Sequence, residues 1–298
     1  MTITSLPGST APAAGPIITE PGVYEMTNEQ YHVDPVPGGS LSSSGARRLL
    51  APGCPALFDY ERRHQRTPRP QFDIGQAAHL LVLGSGPELV IVDAADWRTK
   101  AAQTERAAAR EAGAVPVLRH EFEQLQAMAE AIRRHPVAGA LFNPAYGRPE
   151  QSLFWQDTAA RVWRRARLDW LPNPGGGRLI VPDYKTTVSA ATDAIERSVH
   201  SYGYHQQAAW YLDAVRALGL ADDSAVFVFV FQEKTAPYLV RVVQLSASAM
   251  RIGRHLNRKA ISTYAECTAA DRWPGYSDDI DVISLPAWAE NKHLQEMQ

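Results

Sequence analysis

The spacing of apolar residues divides the chain into a helical first part and a strand-rich centre. Between residues 41 and 140, apolar positions recur every three or four residues, which predicts helices. The predicted helices are LSSSGARRLL, ALFDYERRH, FDIGQAAHLLVLG, TKAAQTERAAAREAG and RHEFEQLQAMAEAIRRH, with LVIVD as one short strand among them. Ser42 to Ser44 lie where N-cap residues are expected, and Pro136 ends the last of these helices.

Strand-like runs dominate from Gln151 onward. SLFW, ARVWRRARLDWL and RLIVPDY are followed by a helix through YGYHQQAAWYLDAVRALG and then by the strands AVFVFVF and YLVRVVQL. The order of helix, three strands, helix, two strands and helix predicts an α/β core with a central mixed sheet.

The length of 298 residues fits one principal domain with additions, and a hydrophobic content of 45% is sufficient to form its buried core. The formal net charge of -2 argues against a uniformly basic surface for nucleic acid but permits a local basic channel. Cys54 and Cys267 are far apart and form no CxxC motif, so we expect neither a disulfide framework nor a zinc or iron-sulfur site.

The N-terminus suggests a tail rather than a targeting segment. Residues 1–20 are rich in Pro, Ala, Ser and Thr, which predicts a flexible tail. No Lys or Arg precedes Arg47 and there is no long apolar run, so we expect no signal peptide, no membrane contact and a cytoplasmic location.

The stretch LDWLPNPGGGRLIVPDYKTT, residues 168–187, places charged residues inside two apolar runs. Asp183 and Lys185 are two apart, so on a strand they share one face. If the chain turns about Gly176, Asp169 lies opposite Asp183 on an antiparallel neighbour, with Cβ atoms about 4.5 to 5.5 Å apart.

Two carboxylates at that separation repel, which should raise the pKa of one of them unless a cation is present. Mg²⁺ relieves such repulsion and is bound through one or two carboxylates plus water and phosphate oxygens. The pair therefore suits metal-assisted attack on a phosphodiester, with Lys185 polarising the attacking water or offsetting charge. An Asp/Lys surface pair on an exposed hairpin is the alternative.

Seven motifs in order, over about residues 41–288, resemble the RecE-like exonucleases (exodeoxyribonuclease VIII type) of the RecB-like group in the PD-(D/E)XK nuclease superfamily. They are LSSSGARRLL, FDIGQAAHLLVLG, EQSLFW, RARLDWL, VPDYKTT, YGYHQQAAWYLDA and SLPAWA. The resemblance implies a restriction-endonuclease-like core, a central mixed sheet flanked by helices, with helical N-terminal additions. It divides a single nuclease domain, residues 21–298, into a helical part at about 41–140, a catalytic core at about 150–268 and an extension at 269–298.

The resemblance also implies roles for individual residues. Gly75 and His79 match a G-x-x-x-H helix with a metal-binding histidine, and Glu150 matches an acid before the first core strand. Asp169 and Asp183 match metal-binding aspartates and Lys185 the catalytic lysine, while Gln207 and Tyr211 match a supporting Q-x-x-x-Y helix. The implied ion is Mg²⁺, with Mn²⁺ as a substitute.

Each of these residues has a simpler interpretation. His79 can be a core histidine, Glu150 a solvated loop acid, and Gln207 with Tyr211 ordinary packing, since the adjacent Gln206 leaves the register open. Pro182, before the key aspartate, cannot donate to a sheet ladder and indicates an edge strand or a bulge.

We expect contacts with DNA phosphates from two groups of arginines and from the N-terminus of the helix that begins at Ser42 to Ser44. Ser42 and Ser44 cap a helix and could also receive a terminal phosphate. The expected sequence-independent DNA contacts are Arg47, Arg48, Arg62, Arg63, Arg66 and Arg69 in the first part, and Arg161, Arg164, Arg165 and Arg167 before Asp169.

The resemblance implies a 5′-to-3′ exonuclease on linear double-stranded DNA that leaves 3′ single strands for phage-type recombination. It further implies a RecT-like annealing partner and a homo-oligomer, often a ring. A RecB-like nuclease of other polarity or single-strand preference, and a non-catalytic DNA-end-binding protein on the same fold, are the alternatives.

Overall fold

In the computed structural model, helices are the main elements of the first half of the chain and flank the strands of the second half. The structure describes residues 15–64, 73–175 and 177–297. Its α-helices are α1 Asn28–His32, α2 Ser43–Leu49, α3 Pro55–Arg63, α4 Asp73–Leu83, α5 Lys100–Glu111, α6 Arg119–Arg134, α7 Pro136–Leu141, α8 Thr192–Ser201, α9 Tyr204–Ala217, α10 Ala247–Ala270 and α11 Ala287–Glu296.

The strands form one four-stranded sheet, one three-stranded sheet and one parallel pair. They are β1 Gly22–Tyr24, β2 Leu41–Ser42, β3 Leu89–Val92, β4 Val115–Leu118, β5 Gly147–Asp157, β6 Val162–Pro172, β7 Ile180–Thr187, β8 Val226–Glu233 and β9 Val240–Gln244. The sheet orders are β1-β5-β6-β2, β7-β8-β9 and β3-β4. Parallel and antiparallel neighbours occur in both larger sheets, which confirms the predicted mixed α/β core flanked by helices.

The predicted hairpin between the strands of Asp169 and Asp183 is wrong. β6 pairs antiparallel with β5, whereas β7 pairs parallel with β8, where Asp183 lies opposite Phe229. Gly176, the expected centre of the turn, lies outside the described residues. The two aspartates still come together, because the Tyr184 backbone N–H donates to Asp169 Oδ2 at 2.8 Å.

Pro182 faces the edge of β7 that pairs with no other strand among the described residues. Backbone N–H groups two residues apart point the same way along a strand, so position 182 faces the same direction as Tyr184, toward Asp169 and away from β8. Proline has no N–H to donate there. The prediction of an edge position at Pro182 is confirmed, since β7 is the edge of its sheet.

The core lies between the sheets and α9. β8 reads VFVFVFQE and is buried on both faces, as expected of a strand covered from two sides. One apolar cluster contains Phe229 of β8 and Trp210 of α9, both fully buried. A second cluster, on the other face of the strands, contains the fully buried Tyr184 and Trp170. The second cluster packs against α4 and α6, so the helical N-terminal part covers one face of the sheets.

Several elements differ from the sequence prediction. β4, the run Val115–Leu118, was missed and pairs with β3. Most of the predicted tail lies outside the described residues, but Ile18 is buried and its N–H donates to Pro35, so the end of that tail belongs to the packed fold. Among the helices within residues 15–64, 73–175 and 177–297, none combines the length and hydropathy needed to cross a membrane.

Candidate metal centre

Glu150 and Asp169 face each other across the ladder between β5 and β6. Pro149 pairs with Trp170 and Gln151 with Leu168, so the register places Glu150 directly opposite Asp169. Glu150 has a left-handed backbone, with φ of 53°, which is unfavourable for a residue with a Cβ atom. The prediction placed this acid before the strand, but it lies within β5, because the ladder with β6 extends to Gly147.

His79 of α4 completes a group of three potential ligands. Its Nδ1 atom lies 3.9 Å from Asp169 Oδ2, and its ring packs edge-on against Tyr184 with 5.3 Å between centroids. One ligand atom each from His79, Glu150 and Asp169 lies within 4.8 Å of the others. Three residues distant in sequence therefore converge on one point, as the family resemblance implied for them.

Asp183 lies beside this group rather than in it. Its side chain is 1% exposed, its Oδ2 accepts a hydrogen bond from Gln207 Nε2 at 2.8 Å, and its Oδ1 forms an ion pair with Lys185 Nζ. The ion pair confirms that Asp183 and Lys185 share one face of β7. The group of three does not include Asp183, whose oxygens contact Gln207 and Lys185, and its role as a metal ligand stays a prediction.

The helix that carries Gln207 and Tyr211 has the register implied by the resemblance. Gln207 reaches Asp183, and Tyr211, one turn later, contacts Gln207 and packs on Phe227. Gln206 instead faces α10, where its side-chain Nε2 donates to Asn257 Oδ1 at 3.4 Å. The choice between the two glutamines, which sequence left open, falls on Gln207.

Electrostatics in the centre reflect buried like charges. Burial raises the pKa of Asp169 to about 6, against the opposing effect of Lys185. Burial and then the Asp169 carboxylate raise the pKa of Asp183 to about 6. Burial and the Lys185 ammonium lower the pKa of His79, which favours the neutral imidazole that binds metals.

Lys185 remains a cation. Burial alone would lower its pKa, but the carboxylates of Asp183 and Asp169 outweigh burial and raise the pKa above its ordinary value. The lysine therefore supplies positive charge next to the acids.

The residues present fit a divalent cation. Two carboxylates and a neutral imidazole offer oxygen and nitrogen ligands, and the raised pKa values show that negative charge is poorly compensated by the protein alone. Because Glu150 Oε2 already accepts from Arg167 Nε at 2.6 Å, its carboxylate is oriented before any ion binds.

Three of the four arginines before Asp169 are placed differently from the prediction, whereas Arg161 is exposed and its contact with DNA stays a prediction. Arg165 is 12% exposed and forms an ion pair with Asp34 and a hydrogen bond to the Ser40 carbonyl. Arg167 is 13% exposed and bonds Glu150. Arg164 is buried against Asp213 at 3.1 Å. Their guanidinium groups stabilise the fold and the centre from inside, so they do not form the expected cationic surface.

The N-terminal candidates are placed nearer the surface. Ser42 caps α2 by accepting from Gly45 N at 3.1 Å, which confirms the capping role, and its Oγ lies 3.1 Å from Ser44 Oγ. Arg48 pairs with Glu61 at 2.8 Å, whereas Arg47 is exposed and donates to the Tyr202 carbonyl.

Contacts with the phosphate backbone of DNA stay a prediction for Ser42, Ser44, Arg47 and Arg48. Arg62 and Arg63 both pair with Asp59. Arg66 and Arg69 lie outside the described residues.

The sequence analysis missed two residues, Gln232 and Tyr204, that contact Tyr184 and Lys185 on the side away from the potential metal ligands. The Tyr184 hydroxyl donates to Gln232 Oε1 at 2.6 Å, and Gln232 Nε2 donates to the Met128 carbonyl at 2.9 Å. Lys185 Nζ lies 5.4 Å from the centre of the Tyr204 ring. A glutamine at the end of an apolar strand was the available signal for Gln232, and Tyr204 lies in the motif that includes Gln207.

The fold and the centre together define a protein of the PD-(D/E)XK type. The chain belongs to the family described as PDDEXK-like domain of unknown function (DUF3799), whose model matches residues 42–286. The described structure is similar to the crystal structure of a "Putative exonuclease" from Eubacterium rectale, with a TM-score of 0.58 and 12% identity. That match covers 90% of this chain and 98% of the other, and at this identity it shows the fold. A search of curated proteins finds no match.

Proposed function

We propose that the protein is a divalent-metal-dependent deoxyribonuclease that hydrolyses phosphodiester bonds at the His79–Glu150–Asp169 centre. The observation that carries the proposal is the convergence of these three ligand atoms within 4.8 Å beside the buried Asp183–Lys185 pair. Membership of a PDDEXK-like family and the fold shared with a protein described as an exonuclease support it.

The chain's own residues would perform three tasks. His79, Glu150 and Asp169 would hold Mg²⁺ or Mn²⁺, which when bound supplies Lewis-acid polarisation of the phosphodiester and activation of a water. Lys185, kept as an ammonium, would offset the negative charge that develops on the phosphate oxygens.

Asp183 would hold Lys185 in place and would itself be fixed by Gln207. Its two oxygens contact these two side chains and its carboxylate is buried, so neither group needs to reorganise during the reaction.

The more specific features are further proposals. The motif order supports a RecE-like exonuclease acting on ends of linear double-stranded DNA, with 5′-to-3′ polarity, production of 3′ single strands and a role in phage-type recombination. A RecT-like annealing partner, a ring-shaped homo-oligomer and a cytoplasmic location follow from the same resemblance. The other polarity and single-strand preference are outcomes of the experiment below.

The test is digestion of linear duplex DNA labelled at either end, with 5′-phosphate and 5′-hydroxyl termini, in Mg²⁺, Mn²⁺ or EDTA. We expect metal-dependent release of nucleotides from the 5′ end, with loss of activity in Asp169→Asn and Lys185→Met. Asp193→Asn, an exposed acid of α8 paired with Arg197, is the control. Binding without digestion by the wild-type protein would favour a DNA-end-binding role, and equal digestion by wild type and both site variants would refute the assigned centre.

A further inference from the structure

A column of aromatic rings leads from the proposed catalytic lysine to the protein surface. The rings of Tyr202 and Tyr204 are stacked, with 5.6 Å between centroids and 28° between planes. Tyr204 is the inner ring: Lys185 Nζ lies 5.4 Å from its centre and Phe229 packs against it at 5.3 Å. Tyr202 is the outer ring and is 60% exposed. An aromatic face is therefore presented to solvent one ring away from the Lys185 side chain.

The backbone holds this column in place. Gly203, between the tyrosines, has φ of 67°, a conformation that reverses the chain between α8 and α9 and that favours glycine. A Cβ atom at Gly203 would lie 2.6 Å from Arg47 Cδ, and Arg47 donates to the Tyr202 carbonyl. The position of Tyr202 is thus fixed from α2 and does not depend on packing of its own ring.

Burial does not explain why Tyr202 is aromatic. Tyr204 fills the space against Phe229 and Phe231, whereas Tyr202 leaves most of its ring in water. Single-stranded nucleic acid is commonly bound by aromatic side chains on which bases stack, beside cations that contact the phosphates. Arg47 is exposed at the same turn, and its guanidinium has five N–H donors.

We propose that the exposed face of Tyr202 is a stacking subsite for one unpaired nucleobase of the strand bound at the centre, with Arg47 contacting a neighbouring phosphate. This rests on the proposed nuclease function and specifies its substrate. A base inside a duplex has both faces covered by its neighbours, so only a frayed, terminal or single-stranded base can stack on Tyr202. The subsite therefore selects strand ends that have separated from their complement.

Binding is tested without cleavage, in an Asp183→Asn background with Ca²⁺ present. The probes are single-stranded oligonucleotides with 2-aminopurine at successive positions from the 5′ end, because stacking on an aromatic ring quenches this base. We expect quenching at one position, retained in Tyr202→Phe and Tyr202→Trp and lost in Tyr202→Ala, with affinity about tenfold weaker in the alanine variant. Tyr60→Ala is the matched control, since Tyr60 is 61% exposed and stacks on His64 at 4.0 Å.

Cleavage provides the second test, in the protein with Asp183 intact. On substrates with one abasic nucleotide at each position in turn, Tyr202→Ala should lower kcat/KM about tenfold on all except one. On the substrate that lacks the stacking base, the kcat/KM of the wild type and of Tyr202→Ala should be equal. Equal quenching in wild type and Tyr202→Ala, or a deficit that no abasic position removes, would overturn the subsite.

The two proposals fail in different ways. A wild-type protein that binds with Tyr202-dependent quenching but never cleaves would refute the nuclease function and keep the subsite. Cleavage that is indifferent to Tyr202 would refute the subsite alone, and absence of any DNA binding would refute both.

Discussion

Replacing Asp169 by asparagine should stabilise the metal-free protein while it abolishes metal-dependent cleavage. Burial raises the pKa of this carboxyl from 3.8 to about 6, so above pH 6 the folded protein has to keep a buried, poorly compensated charge. A shift of about two pKa units corresponds to ~3 kcal/mol of folding free energy. Asparagine keeps the size of the side chain and an oxygen that can accept from the Tyr184 N–H.

The sign of the pH dependence follows from the direction of the shift. Because the folded-state pKa lies above the unfolded one, the folded protein binds the proton more tightly, and the penalty is absent below about pH 4. It grows as the pH rises from about 4 to about 6 and is complete above that range. The attraction of Lys185 is already contained in this shift, so we expect a net gain of up to about 3 kcal/mol at pH 8.

The assay is urea unfolding of wild type and Asp169→Asn in EDTA at pH 4.5 and pH 8. The control is Asp193→Asn, where Arg197 lowers the pKa of an exposed carboxyl, so this variant should show no gain at pH 8. Adding Mn²⁺ should stabilise wild type and leave Asp169→Asn nearly unchanged, since an ion at 100 times its Kd contributes about 2.7 kcal/mol. Destabilisation of Asp169→Asn by the same amount at both pH values would refute the reasoning.

Three further predictions concern the surroundings of the centre. Gln207→Leu removes the hydrogen bond to Asp183 and should lower kcat at least about tenfold with little change in stability. Gln206→Leu removes the side-chain hydrogen bond to Asn257 of α10 and should lower stability without changing kcat. At a subsaturating metal concentration the rate of cleavage should rise with pH through about 6, because protons on the two site aspartates oppose binding of the ion, and a flat profile from pH 5 to 8 would contradict this. Tyr184→Phe leaves Gln232 Oε1 buried without its donor and should cost about 1 to 3 kcal/mol in urea unfolding, with Tyr146→Phe, an exposed tyrosine, as the control.

Glu150 shows how the fold accepts local strain at the centre. A left-handed backbone costs about 1 to 2 kcal/mol for a residue with a side chain. The ladder on both sides of it and the bond from Arg167 hold it in that conformation. Its carboxylate is thereby placed opposite Asp169, and such strained positions are concentrated at functional sites.

Local periodicity was sufficient for much of the centre. The two-residue spacing of Asp183 and Lys185 decides by itself that they share a face, because strand side chains alternate. The four-residue spacing of Gln207 and Tyr211 places both on one face of α9 in the same way. Apart from α8, which was not predicted, the order of strands and helices from β5 to α10 also followed from apolar spacing.

Only the tertiary structure decided which residues meet across the chain. The partner of β7 is β8 and not β6, the acid opposite Asp169 is Glu150, and His79 arrives from a helix about 70 residues earlier. Arg165 and Arg167 share one face of β6 and Arg164 lies on the other, yet all three pair with acids of the folded chain. A sequence fixes local direction through bond geometry, but which surfaces come into contact depends on how all the apolar faces are buried together, and that is settled only when the whole chain folds.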